Sequence, residues 1–131
     1  MNEFWTSWQP RILSVLRFIT GFMMLFHGTQ KLFAFPPSER SGGQLSAFMA
    51  AGGIIEFVGG VLIMIGLFTR WTSFILSGTM AVAYWMFHGT SAFLPLVNRG
   101  ELAALYCFVF LYLFFAGAGT WSVDNALKKN W

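Results

Sequence analysis

One carboxylate, Glu56, lies in the middle of an apolar segment that contains no other charged residue. The segment extends from Phe48 to Phe68, which is long enough to cross a bilayer as a helix. A carboxylate at that depth is tolerated only when it faces the interior of a helix bundle, has a partner or stays protonated. We therefore predict that Glu56 faces the protein interior and acts there as a proton-transferring residue.

Two basic residues near the end of the first apolar segment are the candidate partners of Glu56. His27 and Lys31 are four positions apart, so they lie close to one face of a helix. Since an imidazole exchanges protons near neutral pH, we predict a catalytic role for His27 and substrate binding by Lys31. Simpler explanations stay open: Lys31 extends to lipid headgroups, His27 bonds to a backbone carbonyl, and Glu56 is a structural buried carboxylate.

Further polar residues are predicted to lie on the same side of the membrane as Lys31. They are Tyr84, His88, Asn98 and Glu101. We predict that they bind substrate in an outward-facing polar pocket with Glu56 at its floor. The alternatives are packing for Tyr84, an interfacial position for His88, and compensation of a helix dipole by Glu101.

The composition indicates an integral membrane protein of one domain. Of the 131 residues, 56% are hydrophobic and only 10% are charged, whereas soluble domains have about 25% charged residues. The mean hydropathy is +0.64. The formal charge of +3 comes from basic residues that flank apolar segments, so we expect a lipid bilayer and no nucleic acid as the partner. The single cysteine, Cys107, cannot form an internal disulfide.

The apolar segments predict four transmembrane helices, over about 10–34, 46–68, 71–88 and 100–116. Pro10 suits the start of the first helix, and Pro36 follows its end. The very short connection at Thr69 and Arg70 requires an antiparallel hairpin. The predicted fold is therefore an all-α, up-down-up-down four-helix bundle. Segment 91–97 is left open between lying in the interface and re-entering the membrane.

Basic residues near the helix ends predict the orientation. One side has Arg11, Arg70, Lys128 and Lys129, and the other has Lys31, Arg40 and Arg99. Since cytoplasmic loops are enriched in Lys and Arg, we expect both termini in the cytoplasm. Arg17 is expected to extend toward the cytoplasmic headgroups.

Glycines in the second apolar segment share a stripe with Glu56. Gly52, Gly59 and Gly66 recur every seven residues, with Gly53 and Gly60 beside two of them. Small residues at such spacing allow helices to approach closely. We therefore predict that this stripe is the packed face of the helix.

Three segments resemble the DoxX family. They are His27-Gly-Thr-Gln-Lys31, Gly53-Ile-Ile-Glu-Phe-Val-Gly-Gly60 with the turn at 66–70, and Gly117-Ala-Gly-Thr-Trp-Ser-Val-Asp124. The resemblance implies a small bacterial four-helix protein of the inner membrane. Some members are associated with sulfur oxidation as quinone-linked subunits, others are linked to oxidative-stress complexes, and most have no established activity.

Three functions follow as hypotheses from the pocket and the resemblance. The first is a quinone-linked redox subunit with a soluble redox partner at the cytoplasmic side. The second is a carrier for a small molecule. The third is a scaffold that contacts soluble enzymes through Arg70 and residues 122–131. Two histidines on different helices are a weak signal for haem, so neither haem nor another metal is predicted. A homo-oligomer is left open.

Overall fold

A computed structural model describes residues 2–38 and 45–131, which form six helices and no strand. The helices are α1 (Glu3–Phe33), α2 (Ala47–Ile65), α3 (Thr69–Phe87), α4 (Pro95–Asn98), α5 (Glu101–Ala116) and α6 (Val123–Ala126). The protein is therefore all-helical over the described part, as predicted. Arg40, one of the residues used to predict the orientation, lies outside the described residues.

Helix α1 begins at Glu3, well before the predicted start at Pro10. Its N-cap is Asn2, whose side chain accepts a hydrogen bond from the Phe4 amide at 2.9 Å. Pro10 lies inside the helix, where its carbonyl accepts hydrogen bonds from Ser14 Oγ at 3.1 Å and from the Thr120 amide at 3.1 Å. The proline signal was misleading because an effective cap precedes it.

Helices α2 and α3 form a hairpin with a tight turn just before the predicted Thr69-Arg70 connection. Gly66 ends α2 with a φ of 72°, a left-handed conformation that glycine adopts without steric cost. Its amide donates to the carbonyls of Leu62 and Ile63. Thr69 then opens α3. Segment 91–97, left open by the sequence, ends in the short helix α4, which begins at Pro95.

Close approach of the α1 and α2 backbones confirms the packing role predicted for part of the glycine stripe. A Cβ atom added to Gly60 would lie 2.7 Å from the Leu25 Cα, and one added to Gly28 would lie 2.5 Å from the Phe57 amide nitrogen. Gly59 instead faces the Leu76 side chain at 3.0 Å. Gly52 is different, because an added Cβ would have no atom within 4 Å other than the nearby backbone of its own helix.

The packed core joins residues from four helices. α1 packs mainly against α2 and α3 against α5, while α2 and α3 meet over a smaller area. The buried apolar residues are Met24, Ile63, Leu76, Met80, Tyr106, Phe110 and Leu113. Many large apolar side chains face outward instead, among them Phe74, Trp85, Phe108 and Phe115. By length and hydropathy α1 and α2 are candidate membrane spans, and α5 is apolar but shorter.

The prediction that Arg17 extends to the headgroups is wrong. Arg17 is only 3% exposed. Its Nε donates to the Ile63 carbonyl at 2.9 Å, its Nη2 to the Trp121 carbonyl at 2.8 Å, and its Nη1 to the Ala118 carbonyl. The end of α2 and the turn after α5 present carbonyls that are not part of regular helical bonding, and the guanidinium adds hydrogen bonds to them. The Ile63 and Ala118 carbonyls also accept from the Gly66 amide and from Ser14 Oγ.

Residues 122–131 are bound to the start of α3. The Arg70 amide donates to the Trp131 carbonyl at 3.0 Å, and the Phe68 and Trp131 rings lie 4.9 Å apart. The Arg70 guanidinium is also engaged, since it donates to the Phe114 and Phe115 carbonyls at 2.9 and 2.6 Å. The scaffold hypothesis made Arg70 part of the contact surface for soluble enzymes. In the structure, its guanidinium is instead bonded to backbone carbonyls of the same protein.

Candidate functional site

The centre of the candidate site is an ion pair between α1 and α2. Lys31 Nζ lies 2.7 Å from Glu56 Oε1. Glu56 is 2% exposed, whereas the Lys31 side chain is 29% exposed. The glycine crossing brings the two together, since a Cβ added to Gly53 would lie 3.2 Å from the Lys31 Cβ. Such a buried carboxylate is strongly destabilising unless its charge is compensated, and Lys31 supplies that compensation.

Four buried side-chain oxygen atoms have no hydrogen-bond partner among the described residues. They are Glu56 Oε2, Thr69 Oγ1, Ser73 Oγ and the Tyr106 hydroxyl. Leaving a buried polar group unsatisfied costs about 1–3 kcal/mol, so native structures contain few of them. The ion pair uses only one carboxylate oxygen of Glu56, which leaves hydrogen-bonding capacity at the second.

His27 and Tyr106 lie beside the ion pair. Their rings are 5.6 Å apart and perpendicular, and both residues interact electrostatically with Glu56. Three of the predicted residues, His27, Lys31 and Glu56, are therefore close together. The sequence did not single out Tyr106, because its position in an apolar helix, four residues before the buried Phe110, is typical of a packing residue. It does pack there, since its ring stacks on Phe110 at 5.9 Å.

A cavity of about 410 Å³ lies between α2 and α3 and has Lys31 and Glu56 among its lining residues. The other lining residues are mostly apolar. They include Phe48, Gly52 and Ile55 from α2 and Gly78, Val82 and Phe87 from α3. The cavity thus joins an ion pair to apolar walls, which is the usual composition of a small-molecule site.

Tyr84, His88 and Asn98 form a second cluster that does not line this cavity. Asn98 Nδ2 lies 2.9 Å from the Tyr84 hydroxyl, and His88 Nδ1 lies 3.1 Å from the Asn98 carbonyl. Asn98 Oδ1 also accepts from the Gly100 amide at 2.8 Å. These bonds hold the connection between α3 and α5 in place. Glu101 is exposed in the first turn of α5.

A larger groove, of about 970 Å³, runs between the first half of α1 and the second half of α5. It is lined by residues such as Trp5, Trp8, Leu16 and Tyr112 and by no acidic or basic side chain. Its polar side chains, such as Gln9 and Tyr112, are uncharged, so it lacks the ion pair that lines the smaller cavity. The smaller cavity beside Glu56 is therefore the better candidate site.

Comparison with known proteins gives the family. The DoxX family model matches residues 12–89, a range that includes Lys31, Glu56 and the cavity between α2 and α3. A protein of Haemophilus influenzae, described only as uncharacterized, is 41% identical over 128 residues, which cover 94% of this chain and 96% of that protein.

A second relative comes from Mycobacterium tuberculosis. It is described as an uncharacterized membrane protein and is 27% identical over 148 residues, with coverage of 94% of this chain and 90% of the relative. No solved structure matches the chain. The match to the family model, together with the identity and coverage of the first relative, identifies this chain as a membrane protein that belongs to the DoxX family.

Proposed function

We propose that this protein is a quinone-binding membrane subunit of a redox or oxidative-stress system, with the quinone headgroup at the α2–α3 cavity. The observation that carries the proposal is the buried carboxylate of Glu56, which lines an apolar cavity and has one oxygen without a partner among the described residues. A quinone headgroup has oxygen atoms that hydrogen bond in both redox states, and it is attached to an apolar body. Both features match this cavity.

The residues of the site have separate roles in this proposal. The Lys31 ammonium donates to a carbonyl oxygen of the quinone, and Glu56 accepts a hydrogen bond or a proton from a hydroxyl of the reduced quinol. His27, next to Tyr106 and within electrostatic reach of Glu56, exchanges protons with the site. When bound, the quinone supplies reversible transfer of two electrons and two protons. A soluble redox partner at the cytoplasmic side completes the system.

The proposal includes a multi-pass arrangement in the bacterial inner membrane. The four long helices span the bilayer in alternating directions, as an up-down-up-down bundle with both termini in the cytoplasm. Support comes from the two candidate spans and from the apolar residues that α3 and α5 expose. The exposed Lys128 and Lys129 would then face the anionic cytoplasmic surface.

The test is direct binding of decyl-benzoquinone and of its reduced quinol to the purified protein, measured by equilibrium dialysis in detergent. We expect Lys31→Met to weaken binding of the quinone, and Glu56→Gln to weaken binding of the quinol, about tenfold or more, because each removes a hydrogen bond of a charged group. Glu3→Gln is the matched control, since Glu3 is an exposed carboxylate at the start of α1. Unchanged quinol binding in Glu56→Gln, with thermal unfolding showing that it is folded, would contradict the proposal.

A further inference from the structure

Two glycines, Gly52 on α2 and Gly78 on α3, lack the packing contacts of the other helical glycines. A Cβ added to either would have no atom within 4 Å. By contrast, a Cβ added to Gly28 or Gly60 would collide with the backbone of the neighbouring helix at 2.5 or 2.7 Å. Close approach of helices therefore explains Gly28 and Gly60 but not Gly52 and Gly78.

A glycine inside a helix is destabilising relative to alanine, so two glycines without a packing role need another explanation. Both line the same cavity, one in each wall. Glu56 lines that cavity too and has a buried oxygen without a partner among the described residues. The open space beside the glycines therefore belongs to the cavity that the ion-paired residues Lys31 and Glu56 also line.

The cavity reaches the outer surface of the protein through aromatic residues. Phe48 on α2 and Phe87 on α3 both line it, and they are 54% and 52% exposed. The exposed faces of these helices are apolar. A ligand dissolved in the bilayer can thus reach the cavity from the side, with its apolar tail left in the lipid.

We propose that Gly52 and Gly78 are specificity-determining residues that keep a narrow slot open for a planar ring between α2 and α3. The inference rests on the proposed quinone function and adds that the site selects a ligand with a planar ring. Without side chains, the two positions present backbone surface on which a flat ring makes contact along its whole face. A puckered saturated ring is thicker and makes fewer such contacts, and dispersion depends on their number.

The experiment uses two ligands that differ in ring planarity. They are decyl-benzoquinone and the saturated decyl-cyclohexanedione, which has the same chain and the same two carbonyls. Binding of each to the purified full chain in detergent is measured by equilibrium dialysis. The variants are Gly52→Val and Gly78→Val, with Val58→Phe as the control. Val58 is on α2, is 49% exposed and does not line the cavity.

We expect the wild-type protein to bind the planar ring more tightly than the puckered ring. Each valine should reduce binding of the planar ring about tenfold or more, since groups of one or two methylenes discriminate by that much in an apolar pocket. Val58→Phe should leave binding unchanged. Gly52→Ala and Gly78→Ala are milder variants that should weaken binding in the same direction, and thermal unfolding establishes that each variant is folded.

Two outcomes would overturn the inference while the proposed function survives. One is equal binding of the planar and puckered rings by the wild-type protein. The other is undiminished binding of the planar ring by folded glycine variants, with binding still dependent on Lys31. Absence of quinone binding to the wild-type protein would instead contradict the proposed function, and this inference with it.

Discussion

The carboxylate of Asp124 accepts a hydrogen bond from the backbone amide of Thr69 at 2.9 Å. Its other oxygen accepts from the Phe68 amide, also at 2.9 Å. Asp124 is buried and lies in the short helix α6, far from α3 in sequence. It thus serves as the N-terminal cap of α3, for which the structure shows no side-chain cap from the preceding residue, Phe68.

Asp124→Ala should destabilise the protein by about 1–2 kcal/mol, because loss of a capping side chain typically costs this much. Asp124→Asn should be milder, since an amide oxygen can still accept one of the two bonds. The measurement is unfolding by SDS titration, followed by circular dichroism. Equal stability of Asp124→Ala and the wild-type protein would show that the cap contributes nothing.

Arg17→Lys should fail to replace arginine. The guanidinium bonds to carbonyls in different directions, and a single ammonium cannot reproduce that planar geometry. The Trp121 carbonyl would lose this partner, whereas the Ile63 and Ala118 carbonyls keep hydrogen bonds from the Gly66 amide and Ser14 Oγ. A buried polar group left unsatisfied costs about 1–3 kcal/mol, so we expect a loss of stability of that order. Arg11→Lys is the control, because Arg11 is on the same helix and stacks on the Trp8 ring at 5.0 Å. Similar unfolding profiles for the two variants would argue against this role of Arg17.

Gly60→Ala and Gly52→Ala should have opposite effects on stability. A methyl group at Gly60 meets the α1 backbone at Leu25, whereas one at Gly52 meets no atom. We therefore expect Gly60→Ala to separate α1 from α2 and to destabilise the protein. Gly52→Ala should be neutral or stabilising by up to about 1 kcal/mol, as expected for a helical glycine. The measurement is thermal unfolding of both variants in the same detergent. If Gly52→Ala is less stable than the wild-type protein, the space beside Gly52 is not open.

Lys31→Met should be more destabilising than the double variant Lys31→Met/Glu56→Gln. Removal of the ammonium alone leaves the buried Glu56 carboxylate uncompensated, which typically costs about 3–5 kcal/mol. Neutralising both residues removes that charge. A double-mutant cycle by SDS unfolding measures the coupling. Additive effects of Lys31→Met and Glu56→Gln would mean that the 2.7 Å contact contributes no stability.

Single cysteines test the proposed orientation in intact cells. Thr90 and Asn130 are both exposed, and Cys107→Ala removes the native thiol. An impermeant thiol reagent should label Thr90→Cys from outside but should not label Asn130→Cys until the cells are broken. The reverse pattern would place the termini outside and the connection between α3 and α5 in the cytoplasm.

The positions of α2, α3 and α5 could be predicted to within a few residues because glycines and polar residues bound their apolar segments. The proximity of Lys31 and Glu56 also followed from the residues. The partners of Arg17 could not be predicted, because Ile63, Ala118 and Trp121 are remote in sequence. Tertiary packing therefore decides whether an arginine near a helix end is buried in the protein or extends to the headgroups.

Gly52 and Tyr106 show a second limit of sequence patterns. Gly52 has the same spacing as the packing glycines, but it faces a cavity, and only the placement of α3 decides this. The hydroxyl of Tyr106 is buried without a partner among the described residues. The Tyr106 ring follows the spacing of the apolar core residues, so the sequence pattern predicts that the ring is packed. The same pattern says nothing about the hydrogen bonding of the hydroxyl.

The contacts of Arg17 have a consequence for the order in which the protein is made. Its acceptors at Ala118 and Trp121 are 101 and 104 positions later in the chain, and a chain is synthesised at about 5–20 residues per second. For several seconds α1 therefore carries an arginine whose final acceptors do not yet exist. A ribosome that stalls before residue 118 leaves this cation without those acceptors.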